Sequence, residues 1–378
     1  MAGKIGRILV TGGLGFIGSH TVDLLIEKGY EVRILDNLEP QVHGFPPKVP
    51  EYYNTRAELM QGDAREREKL KKAIEDVDAI IHLAAAVGIG QSMYQIEKYV
   101  SYNTGATASL LDILVNEPND VKKLVVASSM SIYGEGKYVC DSCGIVYPDM
   151  RDEKQLKLGN WEPKCPNCGK SVNPVPTDEK KPLAPSSVYA QTKRHQEEMC
   201  LLIGKTYGIP TVALRYFNVY GPRQSLSNPY TGVCAIFSSR ILNGKPPYVF
   251  EDGKQMRDFV HVKDVARANL LALEHNAADY MAVNIGTGKP VSVEVLARML
   301  AKMYQVGVTP YISNRYRKGD IRHCYADITK ASELLGYRPT VSLEEGLKEL
   351  ADWARAHNWA AVDLFEKTMK ELEEKKLL

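Results

Sequence analysis

The 378-residue chain sets 48 Lys and Arg against 46 Asp and Glu, a net charge of +2, with 44% apolar and 25% charged residues. That balance suits a folded globular chain and argues against a protein that coats nucleic acid or binds an acidic membrane through a basic excess. No uninterrupted apolar run is long enough to span a bilayer and the first residues lack the apolar core of a signal peptide, so the expected location is cytoplasmic.

In chain order, short apolar runs at 7–10, 31–35, 79–84 and 124–127 read as buried parallel strands, and the amphipathic stretches 17–28, 65–75 and 97–116 as the helices between them. The four prolines in 37–54 mark a surface loop. Residues 137–176 break the pattern with four cysteines, five prolines and few apolar residues, and read as an insertion. A long helix follows at 187–207, then a strand at 211–217. From Asn218 onward the pattern turns to Gly/Pro-rich loops, a hairpin-like stretch at 248–262 and shorter helices. The tail from residue 360 reads as a charged helix with a solvated face. The expected organisation is a nucleotide-binding domain (1–136 and 177–217), the insertion (137–176), a smaller lobe (218–345, with some segments returning to the first domain) and C-terminal helices (346–378).

The first strand runs straight into Thr11-Gly12-Gly13-Leu14-Gly15-Phe16-Ile17-Gly18 and an apolar helix. Such a turn aims free backbone N–H groups and the positive end of the helix dipole at a pyrophosphate. Gly12 permits the tight turn, Gly15 the approach of the phosphates, and Gly18 close helix–strand packing. Asp36 ends the second strand 18 residues after Gly18, where a carboxylate grips a ribose 2′-hydroxyl and repels a 2′-phosphate. These features predict an α/β, Rossmann-like doubly wound parallel sheet and favour NAD over NADP as its ligand.

Tyr189 and Lys193 stand at i and i+4 and so share one helix face. An ammonium beside a phenol is expected to lower the tyrosine pKa from about 10 towards the range of a general base. A strand ending in Ser128-Ser129-Met130-Ser131 precedes that helix in the chain, and a serine hydroxyl there suits either proton sharing with a substrate oxygen or turn formation and capping.

Cys140-x-x-Cys143 and Cys165-x-x-Cys168, with 21 residues between the pairs, form two knuckles, each followed by glycine. Four thiolates on two turns can close tetrahedrally around Zn²⁺, redox-active or merely solvated thiols being the alternatives, and with every position filled by cysteine such a metal is expected to be structural. Its expected job is to fold a polar excursion that cannot bury a core of its own, and to cover or shape the substrate mouth. Six basic residues against five acidic ones leave the insertion only +1, too little for a nucleic-acid-binding ribbon, the remotest of the alternatives.

Residues 11–18, Asp36-Asn37, Gly62-Asp63, 82–86, Asn103, 128–134, 189–193, 215–218, 257–261 and 317–327 together resemble the extended short-chain dehydrogenase/reductase family, specifically its nucleotide-sugar epimerase and dehydratase branch. The resemblance implies that Ser129, Tyr189 and Lys193 are catalytic, the last two also touching the cofactor. Gly12, Gly15, Phe16, Ile17, Gly18, Asp36, Asn37, Asp63, Ala64, Leu83, Ala84, Ala85 and Asn103 would bind or support NAD. Val87, Ser129, Asn218, Arg257, Arg317 and Asp320 would meet the nucleotide sugar, and the protein would be a homodimer. Dehydrating members carry an Asp–Glu pair where this chain has Met130 and Ser131, and decarboxylating members an acid at the second of these positions, so epimerisation by transient oxidation and re-reduction is the expected reaction. The stretch 87–93 has no Lys or Arg to pair with a uronate, and Ile89 and Met93 suit a methyl group. With 36–43, the cysteine insertion and 319–323, the chain looks most like the dTDP-L-rhamnose 4-epimerases of that family. UDP-hexose 4-epimerisation and a net NAD-dependent dehydrogenase or reductase remain the alternatives.

Overall fold

Ile8, Leu9 and Val10 are fully buried, as a strand covered on both faces requires. The computed structural model describes residues 5–230 and 232–378. Seven parallel strands form its main sheet: β1 (Arg7–Thr11), β2 (Glu31–Asp36), β3 (Glu58–Gln61), β4 (Ala79–His82), β5 (Lys123–Ser129), β6 (Thr211–Tyr216) and β7 (Met281–Ile285), in the order β7-β6-β5-β4-β1-β2-β3. The order reverses between β1 and β4, which opens a crevice beyond the strand C-termini.

Helices α1 (Phe16–Glu27), α2 (Arg67–Ile74), α3 (Ala106–Asn116) and α4 (Val188–Tyr207) cover the sheet. α5 (Val233–Leu242) opens the smaller lobe. α6 (Val262–Glu274) then returns to the first domain, where Val265, Ala268 and Leu273 share a core with Val22 and Leu25 of α1. β7 follows it and completes the sheet, so the segment 262–285 is the part of the second half that folds back. α7 (Val293–Met303) and α8 (Leu343–Ala356) close the lobe around Phe237, Phe259, Leu296 and Leu350. The chain ends in α9 (Phe365–Glu374).

Several sequence expectations need correction. The stretch 97–116 is not one helix: Ile96–Tyr99 is helical, Val100–Gly105 is a π-helical turn, and α3 follows. Its wide turn coincides with Asn103, whose side chain is engaged elsewhere, and such insertions mark functional positions. The stretch 248–262 is not a hairpin. Tyr248–Val249 pairs with Tyr311–Ile312, while Met256–His261 pairs parallel with Asn218–Tyr220 and antiparallel with Pro290–Ser292. The tail is not simply solvated either. Phe365, Thr368 and Leu372 of α9, with Leu377, face the central cavity.

In the insertion, Lys137–Cys140 pairs antiparallel with both Gly144–Val146 and Asn173–Val175. Its core is small, formed by Tyr138, Cys140, Val146, Cys165 and Val172. Arg151 and Glu162 of the insertion make polar contacts with Glu251, Arg322 and His323.

Candidate active site

One cavity of about 590 Å³ occupies the crevice above β1, β4 and β5 and extends into the smaller lobe. Every cofactor, catalytic and substrate residue expected from the sequence lines it, with the exception of Asn103.

At the cofactor end, Gly12 has φ +71°, a left-handed conformation suited to glycine. A Cβ on Gly18 would sit 2.1 Å from the Gly12 carbonyl oxygen, so the close approach of α1 to the turn needs glycine there. Phe16 and Ile17, which open α1 and whose N–H groups by helix geometry have no intrahelical partner, line the cavity. The Asp36 carboxylate accepts from the Leu14 and Leu38 N–H groups at 3.0 and 2.9 Å, which fixes its orientation and leaves acceptor capacity for hydroxyl groups. Asn37 and the Arg65 guanidinium bond the Asp63 carboxylate, which is held down at about 2 against the opposing effect of its partial burial. Arg65 lies 3.8 Å over the Tyr102 ring, forming a flat wall beside Asp63. This cradle suits a dinucleotide with a free ribose hydroxyl.

Asn103 is fully buried behind that wall. Its side chain accepts from the Ala86 N–H at 2.7 Å, donates to the Ala86 carbonyl at 3.1 Å and donates to the Thr192 hydroxyl at 2.9 Å. Thr192 in turn donates to the Tyr189 carbonyl at 2.8 Å. Asn103 thus ties the backbone after β4 to the helix that carries Tyr189, without reaching the cavity.

The chemistry sits where β5 ends against α4. Ser187 caps α4, accepting from the Ala190 N–H at 3.1 Å, and so sets Tyr189 and Lys193 in the first turns on one face. Beneath them, Ser128 donates to Glu197 at 2.6 Å, and Glu197 pairs with Arg215 through two guanidinium nitrogens. That buried pair locks β5, β6 and α4 together. The Ser131 hydroxyl and N–H both donate to the Ser129 hydroxyl oxygen, at 2.9 and 3.2 Å. The Tyr99 ring meets the Tyr189 ring edge-on at 6.4 Å. Lys193 Nζ donates to the Ala127 carbonyl at 3.0 Å.

The protonation balance differs from the sequence expectation. Burial pushes the Tyr189 phenol up to about 12, only partly opposed by its hydrogen bond with Ser129. Burial also brings the Lys193 ammonium down to about 8. In this chain alone, desolvation by burial is the largest influence on both groups and disfavours their charged forms.

At the substrate end, Arg257 is not paired with Asp252 or Asp258. Its guanidinium donates to the carbonyls of Met256 and Arg322, both at 2.8 Å, and of Ile321 at 2.6 Å. Asp258 is buried and accepts from Thr287 and Gly288, while Asp252 pairs with Arg322. Arg257 therefore brings its charge to the cavity with none of these carboxylates against it. Arg317 bonds Asp320 at 2.8 Å and stacks 4.6 Å over the Phe250 ring. The Asn218 side-chain oxygen is buried with no hydrogen-bond partner, an acceptor left open to a ligand.

Some polar links across the cavity were not anticipated, although Gln41 and Gln91 lie in the stretches 36–43 and 87–93 noted above. Gln41 donates to Gln91 at 3.0 Å and to Asn228 at 3.1 Å, bridging the Pro-rich loop to both lobes. Tyr230 donates to Glu371 of α9 at 2.6 Å, closing the far side. Each is an ordinary polar residue in a loop or surface helix, and only tertiary structure brings it to the site.

The four insertion cysteines are free thiols whose sulfurs all lie within 4.8 Å of one another. The Cys140 and Cys168 sulfurs are 3.6 Å apart. A tetrahedron with bonds of about 2.3 Å has edges of about 3.8 Å, so the set fits a four-thiolate metal centre. Gly144 and Gly169 adopt φ of +73° and +72° where each knuckle turns back.

Fold and site define a Rossmann-like dinucleotide-binding enzyme. The chain matches the family described as "NAD dependent epimerase/dehydratase family" over residues 8–151 and 166–286, and it belongs to that family. It is 35% identical to dTDP-L-rhamnose 4-epimerase of Burkholderia thailandensis over 92% of this chain and 94% of that protein. Among solved structures it resembles UDP-glucose 4-epimerase with UDP-glucose from Thermotoga maritima, at 34% identity and a TM-score of 0.76, covering 93% of this chain and 99% of the other. It also resembles UDP-glucuronic acid 4-epimerase from Bacillus cereus in complex with UDP-glucuronic acid and NAD, at 30% identity and a TM-score of 0.74, with coverage of 93% and 99%. These relatives are sugar-nucleotide 4-epimerases, enzymes of the isomerase class. No described helix of this chain is long and apolar enough to cross a membrane.

Proposed function

We propose that this chain is an NAD-dependent nucleotide-sugar 4-epimerase acting on a dTDP-6-deoxyhexose such as dTDP-L-rhamnose. The observation that carries the reading is the gathering of Ser129, Tyr189 and Lys193 in one cavity between the glycine turn and the Arg257 side chain. The glycine turn and Asp36 would hold NAD, which when bound would supply the acceptor and donor for the carbinol hydride. Tyr189 takes the proton of the sugar hydroxyl and returns it after the keto-sugar has turned its other face. Ser129 shares that proton through its hydroxyl, and Lys193 holds the cationic charge beside the phenolate. Arg257 and Arg317 hold the diphosphate, for which guanidinium groups are well-matched donors. Asn218 donates or accepts beside them.

Met130 and Ser131 line the cavity and neither can act as a carboxyl acid or base, which supports epimerisation over dehydration. The cations lining the cavity are Lys98, Lys193, Arg257, Arg317 and Lys318. Lys98 is paired with Glu39 at 2.8 Å, and none of the five belongs to 87–93, where Val87, Ile89 and Met93 leave an apolar wall. A wall of that kind supports a sugar with a C6 methyl group and disfavours a uronate. The likeness to a UDP-glucose 4-epimerase supports the second reading, a UDP-hexose substrate. Incubation with dTDP-L-rhamnose, UDP-glucose and UDP-glucuronic acid, with products separated by chromatography, decides between them. Conversion of dTDP-L-rhamnose alone, with no free NADH, is expected; conversion of UDP-glucose in preference, or accumulation of NADH, overturns the substrate or the reaction.

The four cysteines hold a structural zinc in this reading, supported by the closeness of their sulfurs. With no open position, the metal takes no part in the chemistry. The protein works as a homodimer, a reading supported by the exposed Leu202 and Tyr207 on α4 and checked by light scattering, where a monomer mass overturns it.

A further inference from the structure

The insertion meets the smaller lobe through a buried ionic network. The Arg151 guanidinium, its side chain 2% exposed, forks onto Glu251 at 2.8 and 3.0 Å. It also donates to the carbonyls of Asp320 and Trp161, both at 2.9 Å. Glu162, from the same cysteine-bounded loop, bonds the fully buried Arg322 at 2.6 Å and His323 at 3.0 Å. Arg322 continues to Glu251 at 2.8 Å and to Asp252 at 2.7 Å.

The residues gripped from behind are the back of the substrate wall. Glu251 follows Phe250, over which Arg317 stacks, and Asp320 is the carboxylate that orients Arg317. The Ile321 and Arg322 carbonyls hold the Arg257 guanidinium. Arg151 and Glu162 lie between Cys143 and Cys165, so a metal on the four sulfurs closes the loop that carries them. The apolar core of the insertion is small, and a metal on the four sulfurs would add to it by fixing both ends of the segment that carries them. A buried network of this kind tolerates the loss of one partner poorly, since the remaining charges are left uncompensated.

We propose that Arg151 is a positioning residue that couples occupancy of the four-cysteine centre to binding of the nucleotide diphosphate at Arg257 and Arg317. The proposal rests on the reading of the cavity as a nucleotide-sugar site and of the cysteines as a zinc centre. Coupling between two sites is reciprocal: whatever factor zinc adds to nucleotide affinity, the nucleotide adds to zinc affinity.

The test uses the full chain, with UDP and dTDP as probes. Zinc affinity is measured by competition with a chromogenic chelator, with and without saturating nucleotide. Nucleotide affinity is measured by calorimetry before and after zinc removal, and bound NAD is quantified in each sample. Both affinities are expected to change by the same factor, about fivefold or more, with NAD content unchanged because the glycine turn lies apart from the insertion. In Arg151→Met the factor is expected to fall to near one while zinc stoichiometry and NAD content persist. The wild-type comparison stands even where that variant does not fold. Zinc affinity indifferent to a nucleotide that binds overturns the proposal. Protein that binds neither nucleotide, or holds no zinc, overturns the reading of the site itself and the coupling with it.

Discussion

Tyr189 and Lys193 carry the sharpest physical tension in the molecule. Both are buried, one pushed up to about 12 and the other down to about 8. An oxidised nicotinamide beside the phenol adds a positive charge that favours the phenolate. The Tyr189 phenol is therefore expected to titrate lower in the NAD⁺-loaded protein than in the cofactor-free one, measured by ultraviolet difference absorbance with Tyr189→Phe as the reference; an unchanged titration contradicts this. Tyr189→Phe itself is expected to cut turnover by about 10²–10⁴-fold, the usual contribution of a positioned acid–base group, with NAD content intact. Lys193 has a folded pKa below its unfolded value, so between about pH 8 and 10.5 the unfolded chain binds more protons and folding stability rises with pH in that window. Below pH 8 the full penalty is present, roughly 3 kcal/mol at 1.36 kcal/mol per pH unit. Lys193→Met is thus expected to stabilise the cofactor-free protein at pH 7 while abolishing turnover. Chemical denaturation of the two proteins at pH 7 and pH 10 checks it: the gap should narrow at the higher pH, and a less stable variant at pH 7 contradicts the account.

At the scale of elements, sequence periodicity was most informative where burial is simple. α1 and α4 lie within a residue or two of their expected bounds because caps and turns mark their ends: Ser187 caps α4, and Gly208 ends it in a left-handed conformation. β3 escaped notice because it is four residues long at the sheet edge, with no fully buried residue in it. The sequence suggested that some segments of 218–345 return to the first domain but not that α6 and β7 are the ones, because a chain that leaves a sheet and returns carries no local mark of doing so. The π turn at 100–105 preserves helical composition, so periodicity could not reveal it. The tail misled for another reason: α9 is amphipathic, and its charged side hides the face that Phe365 and Leu372 turn to the cavity. Glu371 bonds Tyr230, Glu373 pairs with Arg315 at 2.7 Å, and the Leu377 carbonyl accepts from the Lys318 N–H at 2.9 Å. Removal of residues 364–378 is expected to raise the KM for nucleotide sugar about tenfold or more, by opening one wall of the cavity to water, while leaving bound NAD unchanged. Steady-state kinetics with cofactor quantification checks this, and an unaltered KM would mean that α9 is only a surface helix.

Across the whole molecule, the dinucleotide end was legible through a short-range pattern, a glycine turn after a strand, whereas a phenol and an amine one helical turn apart are common on helices, and it took the resemblance to single out Ser129, Tyr189 and Lys193. The sugar and diphosphate end was legible only through resemblance, since Asn218, Arg257, Arg317 and Asp320 come from three separated segments that no local rule connects. The links between the insertion and that end were invisible, because Arg151 and Glu162 read as ordinary charges in a polar loop. The arrangement divides labour. On the proposed reading, the sheet fixes the cofactor cradle and the proton-transfer groups, while the smaller lobe, braced by the insertion and roofed by α9, holds the nucleotide sugar. On the same reading, the inverted carbinol is oxidised and re-reduced within one closed site. The most direct measurement follows a nucleotide sugar deuterated at the carbon that inverts, in ordinary water, by mass spectrometry of the epimer. Full retention of deuterium at that carbon is the predicted result, and replacement of the label by solvent hydrogen would contradict it.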